Sequence, residues 1–326
     1  MKKTMKIKYS IVIPIYNEEN IIPELYSRTT KVLSSVDKTG YEIIFVDDGS
    51  SDHSLEILEK LCKKDSKIKI VSLSRNFGHQ EAISAGIDFA KGNAVITMDG
   101  DLQDPPEIII EFIKEWKNNC KIVYGIRKNT KESFQKRVFS KMFYRVFNKL
   151  SNVKIPLDAG DFCLMDREIV DILVNLPERV RFLRGIRPWI GFKQGFVKYN
   201  RDKRYGGKAK YTINKSTKLA INALASFSYL PLHLFVGIGF FTSLFSFIGI
   251  VLTIIAKFAG IEVVKGWTST IMVILLLGGI QLIMLGIIGE YIEKIFEETK
   301  HRPLYIVNKL IGITPNQVSR GGQVSK

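Results

Sequence analysis

Two aspartates one residue apart, Asp99 and Asp101, are the feature of this 326-residue sequence that most directly suggests chemistry. They follow the short apolar run 94–98, which has the composition of a buried β-strand. Two carboxylates on one turn at a strand end can converge on a hard divalent cation, Mg²⁺ or Mn²⁺. Such a cation offsets the charge of a diphosphate leaving group when the bond to it breaks. Because aspartate is also common in ordinary turns, the pair predicts a site only together with its surroundings.

Polar residues follow three further apolar runs in the same way. The polar clusters are 14–18, 47–52, 75–79 and 99–107. The strand candidates are 9–14, 42–46, 68–73, 94–98 and 122–124, and the helix candidates are 19–36, 54–63, 80–90 and 106–118. This alternation predicts a doubly wound, Rossmann-like α/β domain with a parallel sheet. Since such sheets bind ligands at the carboxyl ends of their strands, we expect the four clusters to meet at one edge.

Single residues within these clusters suggest more specific roles. Asp48 can accept hydrogen bonds from a ribose hydroxyl or a base N–H, and Gly49 lets the turn pass close to the base. Glu18 can bind ribose or can act as a first-turn acid against a helix dipole. Asp104 precedes two prolines and lies three residues before Glu107, which is the pattern of a helix N-cap, so we predict a structural role for it.

The distribution of charged residues predicts attachment to a membrane. The formal net charge is +16, and no Asp, Glu, Lys or Arg occurs from 219 to 256 or from 266 to 289. Since about 20 apolar residues cross a bilayer core, we predict transmembrane helices near 232–256 and 268–289; the alternative is a pair of buried core helices. Nine basic residues and one acidic residue lie between 193 and 218. This bias places the preceding domain on the cytoplasmic side of the inner membrane.

Basic residues interleaved with aromatic ones over 125–152 predict an amphipathic helix that lies near the membrane surface. We predict a second interfacial helix over 212–229, which leads into the first span. The predicted organisation is a cytoplasmic catalytic domain over 1–211, an interfacial helix over 212–230, a two-helix transmembrane region over 231–290 and a cytoplasmic tail over 291–326. We expect the tail to be disordered after Thr314. The three cysteines and four histidines are scattered, which predicts neither a disulfide nor a zinc site.

Six ordered motifs make the sequence resemble the family 2 glycosyltransferases, and among them the polyprenyl-phosphate glycosyltransferases related to dolichol-phosphate mannose synthase. The motifs are Pro14-x-Tyr16-Asn17-Glu18, Val46-Asp47-Asp48-Gly49-Ser50, Arg75-Asn76-Phe77-Gly78, the run from Met98 to Glu107, the run from Gly160 to Arg167, and the run from Arg204 to Tyr211. The two C-terminal apolar spans match as well. One departure is Gly100, where relatives often have alanine, and we expect no effect of it on metal binding.

The resemblance implies a nucleotide-sugar domain of the GT-A type and inverting transfer of a hexose to a polyprenyl phosphate, undecaprenyl phosphate in a bacterium. UDP-glucose is the first expected donor, ahead of UDP-N-acetylglucosamine, UDP-galactose and GDP-mannose. The implied donor-binding residues are Pro14, Tyr16, Glu18, Asp48, Asp99 and Gln103, and the metal ligands are Asp99 and Asp101. The implied acceptor-phosphate residues are Arg127, Lys136, Arg137, Ser140, Arg204 and Lys210, and the catalytic carboxylates are Asp161 and Asp101.

Two of these implied roles have competing interpretations. A phosphate monoester has its second pKa near 6, so the acceptor oxygen is nucleophilic at neutral pH and needs no strong base. The harder task is bringing two anions together, which requires cations such as Arg127 and Arg137. Asp161 can therefore orient the attack or only pair with an arginine. The segment 204–211 can close over the phosphates or be a basic linker attracted to anionic lipids.

Three other functions fit the sequence less well. A processive polysaccharide synthase would carry a Gln-x-x-Arg-Trp segment, which this sequence lacks, and more than two spans. Nucleic-acid binding is suggested by net charge alone, but the basic residues lie beside the apolar spans and no nucleic-acid-binding motif occurs. An inactive scaffold would not need Asp99 and Asp101. Glycines at 278, 279, 286 and 289 permit close helix packing and therefore a homo-oligomer.

Overall fold

The computed structural model describes residues 7–128, 159–178, 181–202, 266–313 and 322–324, together with short helical pieces between 238 and 259. The chain divides into two compact units. The first, called here the catalytic unit, comprises residues 1–148, 153–213 and 301–326, and the second comprises 149–152 and 214–300.

In the described part of the catalytic unit, nine strands form one mixed sheet in the order β7-β5-β6-β4-β1-β2-β3-β8-β9. The strands are β1 Tyr9–Ile15, β2 Tyr41–Asp47, β3 Ile68–Leu73, β4 Ala94–Thr97, β5 Ile122–Arg127, β6 Ala159–Asp166, β7 Gln194–Tyr199, β8 Tyr305–Ile311 and β9 Gly322–Val324. The helices are α1 Ile22–Val36, α2 Ser54–Lys64, α3 His79–Phe89, α4 Ile109–Lys117, α5 Arg167–Asn175, α6 Leu183–Trp189 and α7 Trp267–Thr299, with a 3₁₀ turn at Pro106–Ile108.

The centre of the sheet confirms the predicted α/β alternation. Strands β4, β1, β2 and β3 are neighbours and run parallel, and all seven residues of β1 and of β2 are buried. Runs of β-branched residues form such strands because helices cover both faces of the sheet. In α1, the buried residues Leu25, Thr29, Val32 and Leu33 recur at helical spacing and pack on the core.

Strand β6 explains how a residue far along the chain reaches the predicted site. It runs antiparallel between β4 and β5. Its first residues therefore lie at the same edge as the last residues of the parallel strands. The sheet is thus mixed, and not purely parallel as predicted, and Asp161 on β6 joins the polar clusters that follow β1, β2, β3 and β4.

The segment predicted as a cytoplasmic tail is part of the catalytic unit from residue 301 onward. Strand β8 pairs antiparallel with β3, and β9 pairs parallel with β8. The prediction of a separate tail over 291–326 is therefore wrong, and the expected disorder after Thr314 is wrong for 322–324. The reason is topological, because β8 finds its partner about 230 residues earlier in the chain and short-range patterns cannot reveal such a pair.

In the second unit, α7 extends the predicted span 268–289 in both directions. Within the described residues, Leu276–Thr299 is the one helix long and apolar enough to cross a membrane, with a mean hydropathy of 1.5. The predicted span 232–256 is described only in part, where Ile238–Gly249 form an apolar helix that is shorter than the length needed to cross a membrane. The predicted interfacial helices lie outside the described residues, except that Gly125–Arg127 form the end of β5 and are not helical.

Candidate active site

One half of the polar edge, called here the donor side, consists of the loops that follow β1, β2 and β3. The first two loops are joined by side chains that bond to backbone. The Asn17 amide N–H donates to Ser50 Oγ at 3.0 Å, and Asn17 Oδ1 accepts from the Ser51 amide at 2.8 Å. The Glu18 amide donates to Ser54 Oγ at 3.0 Å. These bonds fix the backbone of both loops without a ligand.

Asp48 joins the second loop to the third. Its carboxylate is only 4% exposed and accepts hydrogen bonds from the amides of Phe77 at 2.8 Å and Gly78 at 3.1 Å. Burial raises the pKa of Asp48 to about 6, although the two amides lower it. Gly49 has φ +68°, and a Cβ there would lie 2.5 Å from the carbonyl carbon of Arg75. Only glycine permits this close passage of two backbones.

The predicted donor residues of β1 and its loop lie at this same edge. Tyr16 directly follows β1 and has an exposed ring, with 37% of the residue accessible. Pro14 is buried inside the strand opposite Val46, so it shapes the backbone and does not present a side chain. Glu18 is half-buried between the first two loops. The structure therefore brings Tyr16, Glu18 and Asp48 together, as the sequence predicts.

The other half of the edge, called here the acidic side, contains four carboxylates. Asp99 and Asp101 follow β4, and the Oδ1 atom of Asp101 accepts from the Gln103 amide at 3.1 Å. Burial and the nearby Asp99 charge raise the pKa of Asp101. The Oδ1 atom of Asp99 is buried, and His79 Nε2 lies 3.2 Å from it. A buried carboxylate oxygen in such a contact needs a neighbouring positive charge, which His79 supplies in this structure and a bound cation would also supply.

No group of three or more His, Cys, Asp or Glu side chains is arranged around a common metal position in the part of the chain that the structure describes. Asp99 and Asp101 are the two carboxylates that the sequence predicts as metal ligands. Two carboxylates suffice for Mg²⁺ in sites where substrate phosphates complete the coordination shell. The residues thus fit the predicted cation only in combination with a phosphate-bearing substrate.

Asp104 corrects the sequence prediction, because it is not a helix cap. Pro105 occupies the N-cap position of the 3₁₀ turn, without a side-chain bond. Asp104 is fully buried and accepts from Tyr199 Oη at 2.5 Å and from Arg127 Nη2 at 3.1 Å. Arg201 Nε lies 3.8 Å from its Oδ1 atom. Burial raises the pKa of Asp104 more strongly than Arg127 lowers it.

Arg127, predicted to bind the acceptor phosphate, lies at the end of β5 beside these acids. Its Nη2 atom is 4.0 Å from Asp99 Oδ2, in addition to its bond with Asp104. Gly160 is nearby, since a Cβ there would lie 2.9 Å from Arg127 Nη2. Arg127 therefore holds two carboxylates of the acidic side together, and its 17% side-chain exposure leaves part of it accessible.

Asp161 is paired with arginine, one of the two interpretations that the sequence allows. Arg184 Nη2 donates to Asp161 Oδ2 at 2.7 Å and Arg184 Nε to Oδ1 at 3.1 Å. His79 Nε2 lies 3.5 Å from Asp161 and 3.2 Å from Asp99, and Arg187 Nη2 lies 3.9 Å from Asp161. Burial raises the pKa of Asp161, but Arg184 and His79 lower it further, to well below its usual range. So low a pKa makes Asp161 a weak base.

Sequence reasoning missed His79, Arg184 and Arg187. His79 could have been recognised from the sequence, because it directly follows the Arg75–Gly78 motif and begins a helix at the carboxyl edge of the sheet. Arg184 and Arg187 lie one turn apart on α6, in a segment with four arginines between 179 and 187 and no recognisable motif. The predicted acceptor residues Lys136, Arg137, Ser140, Arg204 and Lys210 lie outside the described residues.

The acidic side contains cations as well as carboxylates. Asp99, Asp104 and Asp161 each lie within 4.0 Å of at least one of Arg127, Arg184, Arg187 and His79. Burial lowers the pKa of His79, but its contacts with Asp161 and Asp99 raise it to well above the ordinary value. An edge with polar, hydrogen-bonded loops on one side and paired acids and cations on the other is suited to a phosphate ester.

Comparison with known proteins agrees with this geometry. Residues 10–173 match the family model described as "Glycosyl transferase family 2". The chain therefore belongs to glycosyl transferase family 2, and it is a glycosyltransferase with the α/β GT-A fold. Residues 230–295 match a second model, "GtrB C-terminal hairpin". Within the family, this hairpin and the relatives described next place the chain among the polyprenyl-phosphate glycosyltransferases.

Three relatives align over nearly their whole length. "Uncharacterized glycosyltransferase YkcC" of Bacillus subtilis (strain 168) is 44% identical over 98% of this chain and 99% of the relative. "Uncharacterized glycosyltransferase sll0501" of Synechocystis sp. is 45% identical over 95% of this chain and 97% of the relative. "Bactoprenol glucosyl transferase" of Shigella phage SfV is 39% identical over 92% of this chain and 98% of the relative.

Proposed function

We propose that this protein transfers a hexose, with glucose from UDP-glucose as the first candidate, to undecaprenyl phosphate or another polyprenyl phosphate. The observation that carries the proposal is the 39% identity with the bactoprenol glucosyl transferase of phage SfV over 98% of that protein. The site supports it, because the donor side and the acidic side lie along one edge. The polyprenyl-phosphate sugar would supply a downstream transferase that modifies an envelope glycan.

In this reaction an acceptor phosphate oxygen forms a bond to the anomeric carbon of the sugar. The bond from that carbon to the diphosphate breaks, and the nucleoside diphosphate leaves. A single direct displacement of this kind inverts the anomeric carbon. Tyr16, Glu18 and Asp48 on the donor side would bind the nucleoside, with Pro14 shaping the strand end behind them.

Asp99 and Asp101 would hold Mg²⁺ or Mn²⁺, and Gln103 lies on the same turn. When bound, the cation would offset the negative charge that develops on the diphosphate. Asp101 has a raised pKa because it is buried beside Asp99, so a positive charge in this position stabilises its ionised form. The buried Oδ1 atom of Asp99, which faces His79 Nε2 at 3.2 Å, is stabilised by positive charge in the same way.

Asp161 would act by position and not as a strong base. Its bidentate contact with Arg184 and its low pKa keep it ionised at neutral pH. The acceptor phosphate is itself largely ionised near pH 7. Asp161 would therefore orient Arg184 and His79 toward the reacting phosphates, and Arg127 would contribute positive charge on the other side of Asp99. Lys136, Arg137, Ser140, Arg204 and Lys210 would complete the acceptor site by resemblance.

The acceptor lipid requires a membrane, so we propose that the protein is a multi-pass protein of the inner membrane with its catalytic unit in the cytoplasm. The hairpin model over residues 230–295 and the apolar helix Leu276–Thr299 support this proposal. A Cβ added at Gly278, Gly279, Gly286 or Gly289 would meet no atom within 4 Å. These open positions would let a second copy of the helix approach closely in a homo-oligomer.

The test is transfer of labelled sugar to undecaprenyl phosphate by the purified full-length protein. UDP-glucose, UDP-N-acetylglucosamine, UDP-galactose and GDP-mannose are compared with Mg²⁺, with Mn²⁺ and with EDTA. We expect one acid-labile sugar–phospholipid, formed from UDP-glucose and dependent on the cation. A different productive donor would correct the sugar, and no product from any donor with folded protein would overturn the proposed reaction.

A further inference from the structure

Two exposed aromatic rings of the catalytic unit have no part in the site described above. Among its described residues, the large apolar side chains that remain exposed are Tyr16, Trp189 and Phe196. Tyr16 belongs to the donor side. Trp189 is 56% exposed and Phe196 is 52% exposed. Neighbouring exposed apolar groups of this size mark a surface that something else covers.

Trp189 and Phe196 lie on the same face of the sheet. Along β7, buried and exposed residues alternate. Gly195 faces α4, since a Cβ there would lie 3.6 Å from the Glu115 Cβ atom. Phe196 therefore faces away from α4, where its ring stacks on Tyr124 at 5.9 Å between centroids. Helix α6 lies on this face too, because its Arg187 Nη2 atom is 3.9 Å from Asp161, and Asp161 shares a face of β6 with Cys163, the residue that pairs with Tyr124.

A basic side chain lies beside the two rings. Lys198 is exposed and shares the Phe196 face of the strand, and Phe192 between the rings is half-buried. The four residues Trp189, Phe192, Phe196 and Lys198 are called here the β7 patch. The sequence beyond the patch stays basic, since the range 193–218 holds nine Lys or Arg and one acidic residue. The patch therefore complements a negatively charged, partly apolar surface.

We propose that the β7 patch docks the catalytic unit on the surface of an anionic lipid bilayer. Tryptophan and phenylalanine rings insert at the level of lipid headgroups, and lysines beside them attract anionic lipid phosphates. The proposal rests on the membrane-bound function proposed above. Docking would keep the acceptor phosphate, which is held at the bilayer surface, within reach of the acidic side.

The test uses the full-length protein in nanodiscs of phosphatidylglycerol and phosphatidylcholine, with a nitroxide attached at Trp189→Cys or Phe196→Cys. Glu56→Cys on α2, whose side chain is 67% exposed, is the matched control, and Cys62→Ala removes the native thiol that is not buried. Collision rates with oxygen, which concentrates in the bilayer, are compared with those of a water-soluble nickel complex. We expect oxygen to dominate at positions 189 and 196, and the nickel complex to dominate at position 56.

Each other outcome overturns the proposal. Dominant collisions with nickel at positions 189 and 196 would place the patch in water. Low collision rates with both reagents would mean that protein covers the patch, and broadening of the spectrum by a second label would identify that protein as another copy. Because the label reports position without turnover, failure of the docking proposal is distinguishable from failure of the proposed reaction.

A second arm removes the charge complement. Lys198→Glu should abolish the oxygen preference at position 196 and lower the turnover of undecaprenyl phosphate in the same nanodiscs by about tenfold. Lys193→Glu is the matched control, because Lys193 Nζ donates to the Asn118 carbonyl at the end of α4 at 3.4 Å, and it should change turnover by less than about twofold. Turnover of a short-chain, water-soluble polyprenyl phosphate should stay within about twofold of the unsubstituted protein, since that acceptor does not need the docked state. Equal losses with both acceptors would overturn the proposed role of the patch.

Discussion

On the donor side, loops are fixed by hydrogen bonds between side chains and backbone amides, as between Asn17 and Ser51 or Asp48 and Phe77. On the acidic side, by contrast, side chains such as Asp161 and Arg184 hold one another by opposite charge. The donor-side amides named above therefore have their acceptors before a ligand binds. The acidic side depends instead on the balance of its carboxylates against Arg127, Arg184, Arg187 and His79, so a change of one charge alters its contacts. Substitutions on the two sides should consequently fail in different ways.

The largest expected effect tests the acidic side. Asp101→Asn should lower the rate of sugar transfer at least about 100-fold, because removal of one group that stabilises developing charge commonly has this effect. Thermal stability should not fall, since the substitution removes a like charge beside Asp99. EDTA should abolish transfer, and Mg²⁺ or Mn²⁺ should restore it. The measurement is initial rate together with the midpoint of thermal unfolding.

Glu107→Gln is the control for Asp101→Asn. Glu107 is also acidic and follows β4, but its side chain is 52% exposed and pairs with Arg28 on the surface. Its replacement should leave transfer within about twofold, because exposed ion pairs contribute at most about 1 kcal/mol. If Asp101→Asn behaved like Glu107→Gln, the acidic side would have no role in the chemistry.

A second prediction tests the donor side by steric means. Gly49→Ala places a Cβ 2.5 Å from the Arg75 carbonyl carbon at a residue with φ +68°. The loops after β2 and β3 must then separate, so we expect donor affinity to fall at least about tenfold, beyond the ~1–2 kcal/mol that a left-handed residue costs. Calorimetric titration with UDP-glucose measures this loss.

Gly191→Ala separates steric conflict from backbone strain. Gly191 has φ +83°, but the nearest atom to an added Cβ is the Trp189 carbonyl oxygen at 3.8 Å. The Gly191→Ala variant should lose about 1 kcal/mol of folding free energy and keep its donor affinity. Equal effects of the two alanines on donor binding would show that the contact of the two loops does not form the nucleoside site.

A third prediction uses pH and distinguishes binding from stability at Asp48. Its pKa in the folded protein is about 6, above the ordinary value of 3.8. Ionisation therefore costs folding free energy, so this group's contribution to the free energy of unfolding declines as pH rises from about 4 to about 6, by up to about 3 kcal/mol. Donor affinity should change in the opposite direction and rise through pH 6, because the ionised carboxylate is the better acceptor.

The measurements for Asp48 are donor affinity and urea unfolding between pH 4.5 and 7.5. Asp48→Asn should remove both pH dependences around pH 6, whatever its effect on their absolute values. A donor affinity that is constant across this range in the unsubstituted protein would place the Asp48 carboxylate outside the nucleoside contact.

The smallest expected effect concerns the contacts that β8 makes with α3 and with the end of β3, behind the donor side. Tyr305 Oη on β8 donates to Asp88 Oδ2 of α3 at 2.6 Å, and the carbonyl of Ile306 accepts from the Ser74 amide at 2.9 Å. Tyr305→Phe should cost about 1–2 kcal/mol of stability and weaken donor binding about twofold. Tyr26→Phe loses a similar bond, to Asp65, which precedes β3 and so lies at the opposite edge of the sheet from the donor side. Only the first substitution should affect donor binding.

Much of the donor side could be predicted from the sequence, because its strands are continuous β-branched runs and its polar loops follow them directly. The prediction of Asp48 beside a glycine turn needed only this short-range pattern. The role of Asp104 could not be predicted in the same way. Its local pattern is that of a helix cap, and its true partners, Arg127 and Tyr199, lie 23 and 95 residues away.

The acidic side was predicted incompletely for the same reason. Asp99 and Asp101 belong to one turn and are recognisable alone, whereas His79, Arg184 and Asp161 meet only through the antiparallel insertion of β6 beside β4. Contacts that form because an antiparallel strand is inserted into a parallel sheet produce no periodic pattern in the sequence. The contribution of β8 was hidden likewise, since an apolar helix separates it from the rest of the catalytic unit.

The position of β8 also dictates an order of events during synthesis. Strand β3 borders β8 in the finished sheet, yet the ribosome makes β8 only after the whole of α7. A nascent chain therefore exposes the unpaired edge of β3 while the apolar hairpin is already emerging. Insertion of the hairpin into a bilayer can thus precede closure of the sheet, so the enzyme would acquire its finished donor side only after it has been anchored.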